Sequence, residues 1–151
     1  MAEHIGDEIK AGTVRKDRLI ADTIQWSVQI PIIAEVAQTG LAADSTGVKW
    51  TSVDLIFTAA EIACLKGAYI EATWTASATD SVTSIELYDA TGAAVITSVS
   101  GNAGTNVRST AGSITAGNTL NVRVSVTTDS ATTGATTDVT KAVLILVFGA
   151  S

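Results

Sequence analysis

From Gln25 onward the chain alternates apolar and polar positions with a period of two. Trp26, Val28, Ile30 and Ile32 alternate with Gln25, Ser27, Gln29 and Pro31. Successive strand side chains point to opposite sides, so this spacing predicts a strand buried on one face. Pro31 has no amide hydrogen to give to a ladder, which places the strand at a sheet edge or bends it there. The cleanest alternation sets Leu120, Val122, Val124 and Val126 against Asn121, Arg123, Ser125 and Thr127. It predicts a strand with the four apolar residues inward and Arg123 outward. Val139 to Phe148 closes the chain's strand-forming part, and its second half is apolar on both faces. That pattern suits a central strand, or one whose outer face meets another subunit.

Between these segments, a turn at Asp44-Ser45-Thr46-Gly47 precedes a strand from Val48 to Phe57. Thr58 to Lys66 has room for one helical turn before Gly67. Strands are expected from Ala68 to Ala76, Ser84 to Tyr88 and Ala93 to Val99, with Asp89-Ala90-Thr91-Gly92 joining the last two as a hairpin. A weaker strand candidate runs from Asn106 to Ala111, before a turn at Ala116-Gly117-Asn118. About eight strands, modest loops and no long helix predict an all-β fold, an antiparallel β-sandwich or jelly roll. The helices that would connect parallel strands are absent, which excludes α/β folds.

Residues 1 to 24 precede this body (25 to 151) as an extended N-terminal arm. Ile9-Lys10-Ala11-Gly12-Thr13-Val14 recurs ten residues later as Leu19-Ile20-Ala21-Asp22-Thr23-Ile24. Each copy has an aliphatic residue first and last, a small residue third and threonine fifth. Two copies cannot build a core alone, because repeat units bury their apolar positions against neighbours. Ile5, Ile9, Val14, Leu19, Ile20 and Ile24 are therefore expected to anchor the arm on a particle or on another subunit.

The length, 151 residues, suits one domain. Charged residues make up 16%, against roughly 25% in typical soluble proteins. Burial against neighbouring subunits would account for such a surface. A net charge of −6 without a basic run disfavours nucleic acid, which needs clustered cations. Arg15, Lys16 and Arg18 enclose Asp17 and read as a solvated turn. The first residues lack the cationic start and apolar stretch of a secretory signal. The longest apolar run, Ala142 to Phe148, is too short to cross a bilayer. A cytoplasmic translation product without membrane insertion is the expectation.

Candidate chemistry is sparse. Cys64 is the only cysteine and His4, in the arm, the only histidine, so a thiol nucleophile lacks a nearby base and a small buried hydrophobe is the expected role. Asp80, Asp89, Asp129 and Asp138 are expected in loops, holding turns through their own backbone. A calcium site assembled from separate loops stays open. Glu71 and Glu86 lie mid-strand and could share a sheet face, as paired glycosidase carboxylates must. Gly101-Asn102-Ala103-Gly104 leads into no helix and reads as a loop rather than a phosphate cradle. Trp26, Trp50 and Trp74 lie in alternating strands, which favours core or subunit packing over sugar stacking. No cofactor and no catalytic apparatus is expected.

The arm resembles phage tail-fibre and other trimeric virion proteins, whose short elements run in the style I-x-A-G-T-I and L-x-A-D-T-I. The matching residues are Ile9, Ala11, Gly12, Thr13 and Val14, then Leu19, Ala21, Asp22, Thr23 and Ile24. Val14 replaces the commoner isoleucine, and two copies do not make a long shaft. The body is similar to β-sandwich modules of virion decoration proteins and fibre heads. That similarity rests on Glu86-Leu87-Tyr88-Asp89-Ala90-Thr91-Gly92, on Ala116-Gly117-Asn118-Thr119-Leu120-Asn121-Val122-Arg123-Val124, and on Lys141-Ala142-Val143-Leu144-Ile145. The resemblance implies a homotrimer in a virion, contacting the major capsid protein or another virion protein through the arm. It leaves two alternatives: a fibre head that binds a receptor or host glycan, and a cell-surface filament subunit completed by a neighbour's strand.

Overall fold

Leu120, Val122, Val124 and Val126, the alternating residues of one predicted strand, are at most 1% exposed. Arg123 points to the opposite side. In the computed structural model, which describes residues 25–41, 43–77, 81–128 and 134–149, that strand lies inside an all-β sandwich of two antiparallel sheets. The strands are β1 (Gln25–Ile33), β2 (Val36–Leu41), β3 (Thr46–Thr51), β4 (Leu55–Ile56), β5 (Leu65–Ala76), β6 (Val82–Asp89), β7 (Ala94–Gly101), β8 (Ala103–Arg108), β9 (Thr119–Thr127) and β10 (Ala135–Gly149).

The first sheet runs β1-β10-β5-β8, with β2 continuing β1 along the same side of β10. The second runs β3-β9-β6-β7, with β4 continuing β3 along β9. Taking β1 with β2 and β3 with β4 as single interrupted strands leaves eight, wound between two four-stranded sheets as a jelly roll. Each interruption has a local cause. Between β3 and β4, the Ser52 hydroxyl accepts from the Val122 amide while the Ser52 amide donates to the Val122 carbonyl, both at 2.9 Å. A serine thus closes the ladder where the strand leaves it. Between β1 and β2, the register already shifts after Pro31, the residue that cannot donate.

The core is drawn from alternate residues of both sheets, chiefly Ile70, Ala72, Trp74, Val139, Leu144 and Leu146 from one and Ile85, Leu87, Leu120, Val122 and Val124 from the other. Thr83 of β6 and Thr137 of β10, both fully buried, join their hydroxyls across the sheets at 3.1 Å. This bond fixes which ends of the sheets meet. Val82 and Thr127 lie with Ala76 and Thr137, so Trp26, Leu65 and Phe148 lie toward Leu55, Asp89 and Leu120.

Trp74 is the largest fully buried side chain. Its indole N–H donates to the Gly101 carbonyl at 3.0 Å. A Cβ at Gly104 would meet three atoms of the Trp74 ring, the farthest at 2.9 Å. The glycines of Gly101-Asn102-Ala103-Gly104 thus serve the turn from β7 into β8 and leave room for an indole. The predicted helical turn at Thr58 exists as a capped turn. The Thr58 amide and hydroxyl donate to the Glu61 carboxylate at 2.7 and 2.8 Å, and the Glu61 amide donates to the Thr58 hydroxyl at 3.3 Å. These contacts hold the Glu61 carboxyl below its ordinary pKa, the Thr58 backbone N–H contributing most.

Candidate functional site

A strand at a sheet edge shows unpaired backbone groups, and proteins usually protect such edges with charge, bulges, brevity or cover. Three of the four edges here are protected. β3 carries Lys49 and a register shift between Val48 and Trp50, and β4 has two residues. β8 carries Arg108, a register shift, and Asn106 at a φ of 49°. Against β7 lies the returning chain: the Thr97 hydroxyl donates to the Thr110 carbonyl at 2.7 Å, and a Cβ at Gly112 would stand 2.5 Å from the Ile96 side chain.

β1 differs. From Gln25 to Pro31 it holds an unbroken register with Gly149 to Val143 of β10, and none of its nine residues is charged. Val28 and Ile30 pair with Leu146 and Leu144, which belong to the core, so their side chains point to the inner side of the sheet. Even so, Trp26 is 49% and Val28 45% exposed. The expectation that this strand buries one face fails over its first half. The facing edge breaks at Ser52–Asp54 and resumes for only two residues in β4, leaving little of the second sheet to cover this part of β1. Trp26 stacks on Phe148 instead, with ring centroids 5.8 Å apart and planes 13° from parallel. The result is an apolar strip, Trp26 to Val28, beside a ladder edge that no other strand among the described residues pairs.

Five charged side chains outside this strip are tied to one another in two groups. Glu71 sits on the outer face of the first sheet between two cations, Lys141 at 3.1 Å and Arg108 at 3.2 Å. The hydrogen bond from Lys141 does most to hold its carboxyl below the ordinary range, with its charge and Arg108 adding to it and burial opposing. Lys141 also donates to the Asn106 side chain at 3.0 Å. Glu86 lies on the outer face of the other sheet, 3.1 Å from Arg123, whose guanidinium rests 3.2 Å above the Tyr88 ring. Glu71 and Glu86 therefore do not share a sheet face. They stand on opposite outer faces and cannot flank one substrate.

The remaining candidates fall into place by burial. Asp89 ends β6 and organises the hairpin. Its carboxylate accepts from the Gly92 amide at 2.8 Å and the Asn118 side chain at 2.6 Å, which lower its pKa in that order. Asp138 lies within β10 rather than in a loop, because the strand begins at Ala135, earlier than the apolar run suggests. Cys64 is half-buried in the capped turn, not fully buried as expected. Trp50 packs against the core from the partly exposed side. Asp80, Asp129, His4 and all six arm residues, Ile5, Ile9, Val14, Leu19, Ile20 and Ile24, lie outside the described residues. Among the described residues no cavity opens and no group of three or more His, Cys, Asp or Glu gathers around a metal-sized space. No described helix is long and apolar enough to cross a membrane.

The sequence places β1 at an edge through Pro31, as the strand order bears out, but does not give the exposure of Trp26 and Val28. What it lacked was the length of the facing strands. No family model matches the chain, and no curated protein does. Solved structures with similarity to the chain include two at low identity. One is a chain from the structure of infectious bursal disease virus, Gx strain, with 11% identity and a TM-score of 0.42. The similarity covers 84% of this chain and 32% of that one, so the chain spans about a third of the viral protein's length. The other comes from Bacillus endospore appendages, described as a novel family of disulfide-linked pili, with 12% identity and a TM-score of 0.38. It covers 88% of this chain and 96% of the other. The jelly-roll assignment rests on this chain's own strand order, not on these likenesses.

Proposed function

We propose that the chain is a structural subunit that assembles with copies of itself, as a capsid-decorating or short fibre-like component of a virus particle. Its role is mechanical rather than catalytic. The observation that carries this reading is the β1 edge, which offers ladder groups and an apolar strip with no charge to repel a partner. The arm supports it independently, since its aliphatic repeat is similar to that of virion fibre proteins and needs apolar partners. Binding would draw on buried apolar area at about 25 cal/mol per Å², most of it offset by lost motion and side-chain freedom. The full-length chain should sediment as an oligomer, a trimer on the fibre resemblance, and electron microscopy should show defined particles or short fibres. A chain that stays monomeric at high concentration overturns the proposal.

A second reading has one observation in its favour. Trp26 is half-exposed on an edge, where an indole can stack on a sugar ring, as in a fibre head that binds a host glycan. Binding on a glycan array that is lost in Trp26→Ala would favour this reading. An array without binding leaves the assembly role.

A further inference from the structure

We infer that the open edge of β1 is the docking site for the first copy of the arm repeat, Ile9–Val14, of a neighbouring subunit. The inference rests on the assembly reading above and names the contact through which it operates.

The arm is the segment whose place in the chain suits this edge. It comprises 24 residues and joins the body at Gln25, the first residue of β1. Its second repeat, Leu19–Ile24, abuts its own β1 and has no slack to reach another body. The first repeat is separated from Gln25 by residues 15 to 24, a tether that spans up to about 33–36 Å when extended. The four consecutive charges Arg15-Lys16-Asp17-Arg18 fall in that tether, where they stay in water. A tight hairpin of the arm onto its own β1 would instead lay those charges alongside Val28 and Ile30.

The pattern of the repeat matches the edge from Ile9 to Thr13. A strand added antiparallel with Ala11 opposite Val28 sets Ile9 opposite Ile30 and Thr13 opposite Trp26. Those three residues then share the apolar side of the sheet. Lys10 falls on the polar side with Gln29, and Gly12 with Ser27. A small residue at Ala11 suits a position whose partner is already flanked by Trp26 and Ile30. Such strand addition takes its affinity from main-chain hydrogen bonds and its specificity from alternate side chains. Pro31, with no N–H to offer, limits the added ladder to the segment before it.

The test uses full-length protein in a Cys64→Ser background. One preparation carries Ala11→Cys and the other Val28→Cys, and the two are mixed and oxidised. A covalent heterodimer on a non-reducing gel, absent when either preparation is oxidised alone, is the expected result. Absence of that heterodimer overturns the inference. So does a doubly substituted chain, Ala11→Cys with Val28→Cys, that closes only within itself and runs at monomer size. Val28→Lys supplies a second readout at an exposed position, with circular dichroism to show that the fold is kept. Its sedimentation should shift to a smaller species. If Val28→Lys keeps the wild-type oligomer, the docking fails while assembly stands, and if the wild type itself is monomeric, the assembly reading falls first.

Discussion

Thr83 and Thr137 offer a sharp test of how the two sheets are held together. Both side chains are fully buried, and each hydroxyl meets the other at 3.1 Å across the sandwich. Replacing either threonine with valine keeps the β-branched shape but leaves one hydroxyl buried without its partner. A lost hydrogen bond and an unsatisfied buried group together cost about 1–3 kcal/mol. Replacing both removes the orphan as well, so Thr83→Val with Thr137→Val should fall within about 1 kcal/mol of the wild type, because two apolar groups of similar shape then face each other. The two single losses should therefore sum to more than the loss of the double variant by at least about 1 kcal/mol. Urea unfolding followed by tryptophan fluorescence measures it, at one fixed protein concentration because association shifts apparent stability. With slopes of about 1–3 kcal/mol per molar urea, each single variant should lose roughly 1 M in midpoint and the double variant should regain most of it. Strictly additive losses would refute the reasoning, since they would mean that the hydroxyls act through separate partners.

Gly104→Ala should lose about 1–3 kcal/mol by overpacking, because the added methyl meets a Trp74 ring that is held by its bond to Gly101; an unchanged urea midpoint would show that the ring can move aside. Val124→Asp should cost several kcal/mol or prevent folding, since it leaves an unpaired carboxylate among fully buried neighbours, and a native-like melting curve would contradict the inward register of β9. The Gly92 amide and Asn118 hold Asp89, and Lys141 and Arg108 hold Glu71, below the ordinary carboxyl pKa values of 3.8 and 4.5. Their contribution to stability is thus present above those values and lost as the pH falls through the folded ones. The thermal midpoint should drop on acidification below about pH 4.5, and Asp89→Asn, which keeps an acceptor for the Gly92 amide, should flatten that drop; an equal slope in the variant removes Asp89 from the account.

The elements that were legible in the sequence are those whose burial is symmetrical along their length. β9 alternates because the first sheet's inner face covers it from end to end, and β10 is apolar on both sides because it is a central strand between β1 and β5. The Asp89–Gly92 hairpin was legible because its aspartate does local work. β2 was not, for Val36-Ala37-Gln38-Thr39-Gly40-Leu41 has no clean period and becomes a strand by pairing with the first part of β10. The Val48–Phe57 strand was read as continuous, although Ser52 to Asp54 leave the ladder. Period two reports that a face is apolar, not how far the opposing sheet extends over it. The exposure of Trp26 and Val28 depends on that second quantity, which is set by residues some thirty positions away.

The placement of charge favours contact at this edge over contact at a polar surface. The arm holds four of the nine basic residues and five of the fifteen acidic ones within its 24 positions. That leaves the body five bases and ten acids in more than five times the length, so the low charge content belongs to the body alone. Three of the five body cations, Arg108, Arg123 and Lys141, are engaged by Glu71 and Glu86. Such pairs on a sheet surface add little stability, but they neutralise the outer faces locally and leave few cations to recruit an anionic partner. Charge is also the commonest guard of an edge strand, and the chain spends it on β3 and β8 while sparing β1. An unguarded edge on an isolated domain invites indiscriminate pairing, whereas on a subunit with its own donor strand it is the position that must stay uncharged. The same scarcity of charge that leaves the body without an electrostatic site therefore makes a backbone-mediated contact at β1 the interaction its surface is best suited to make.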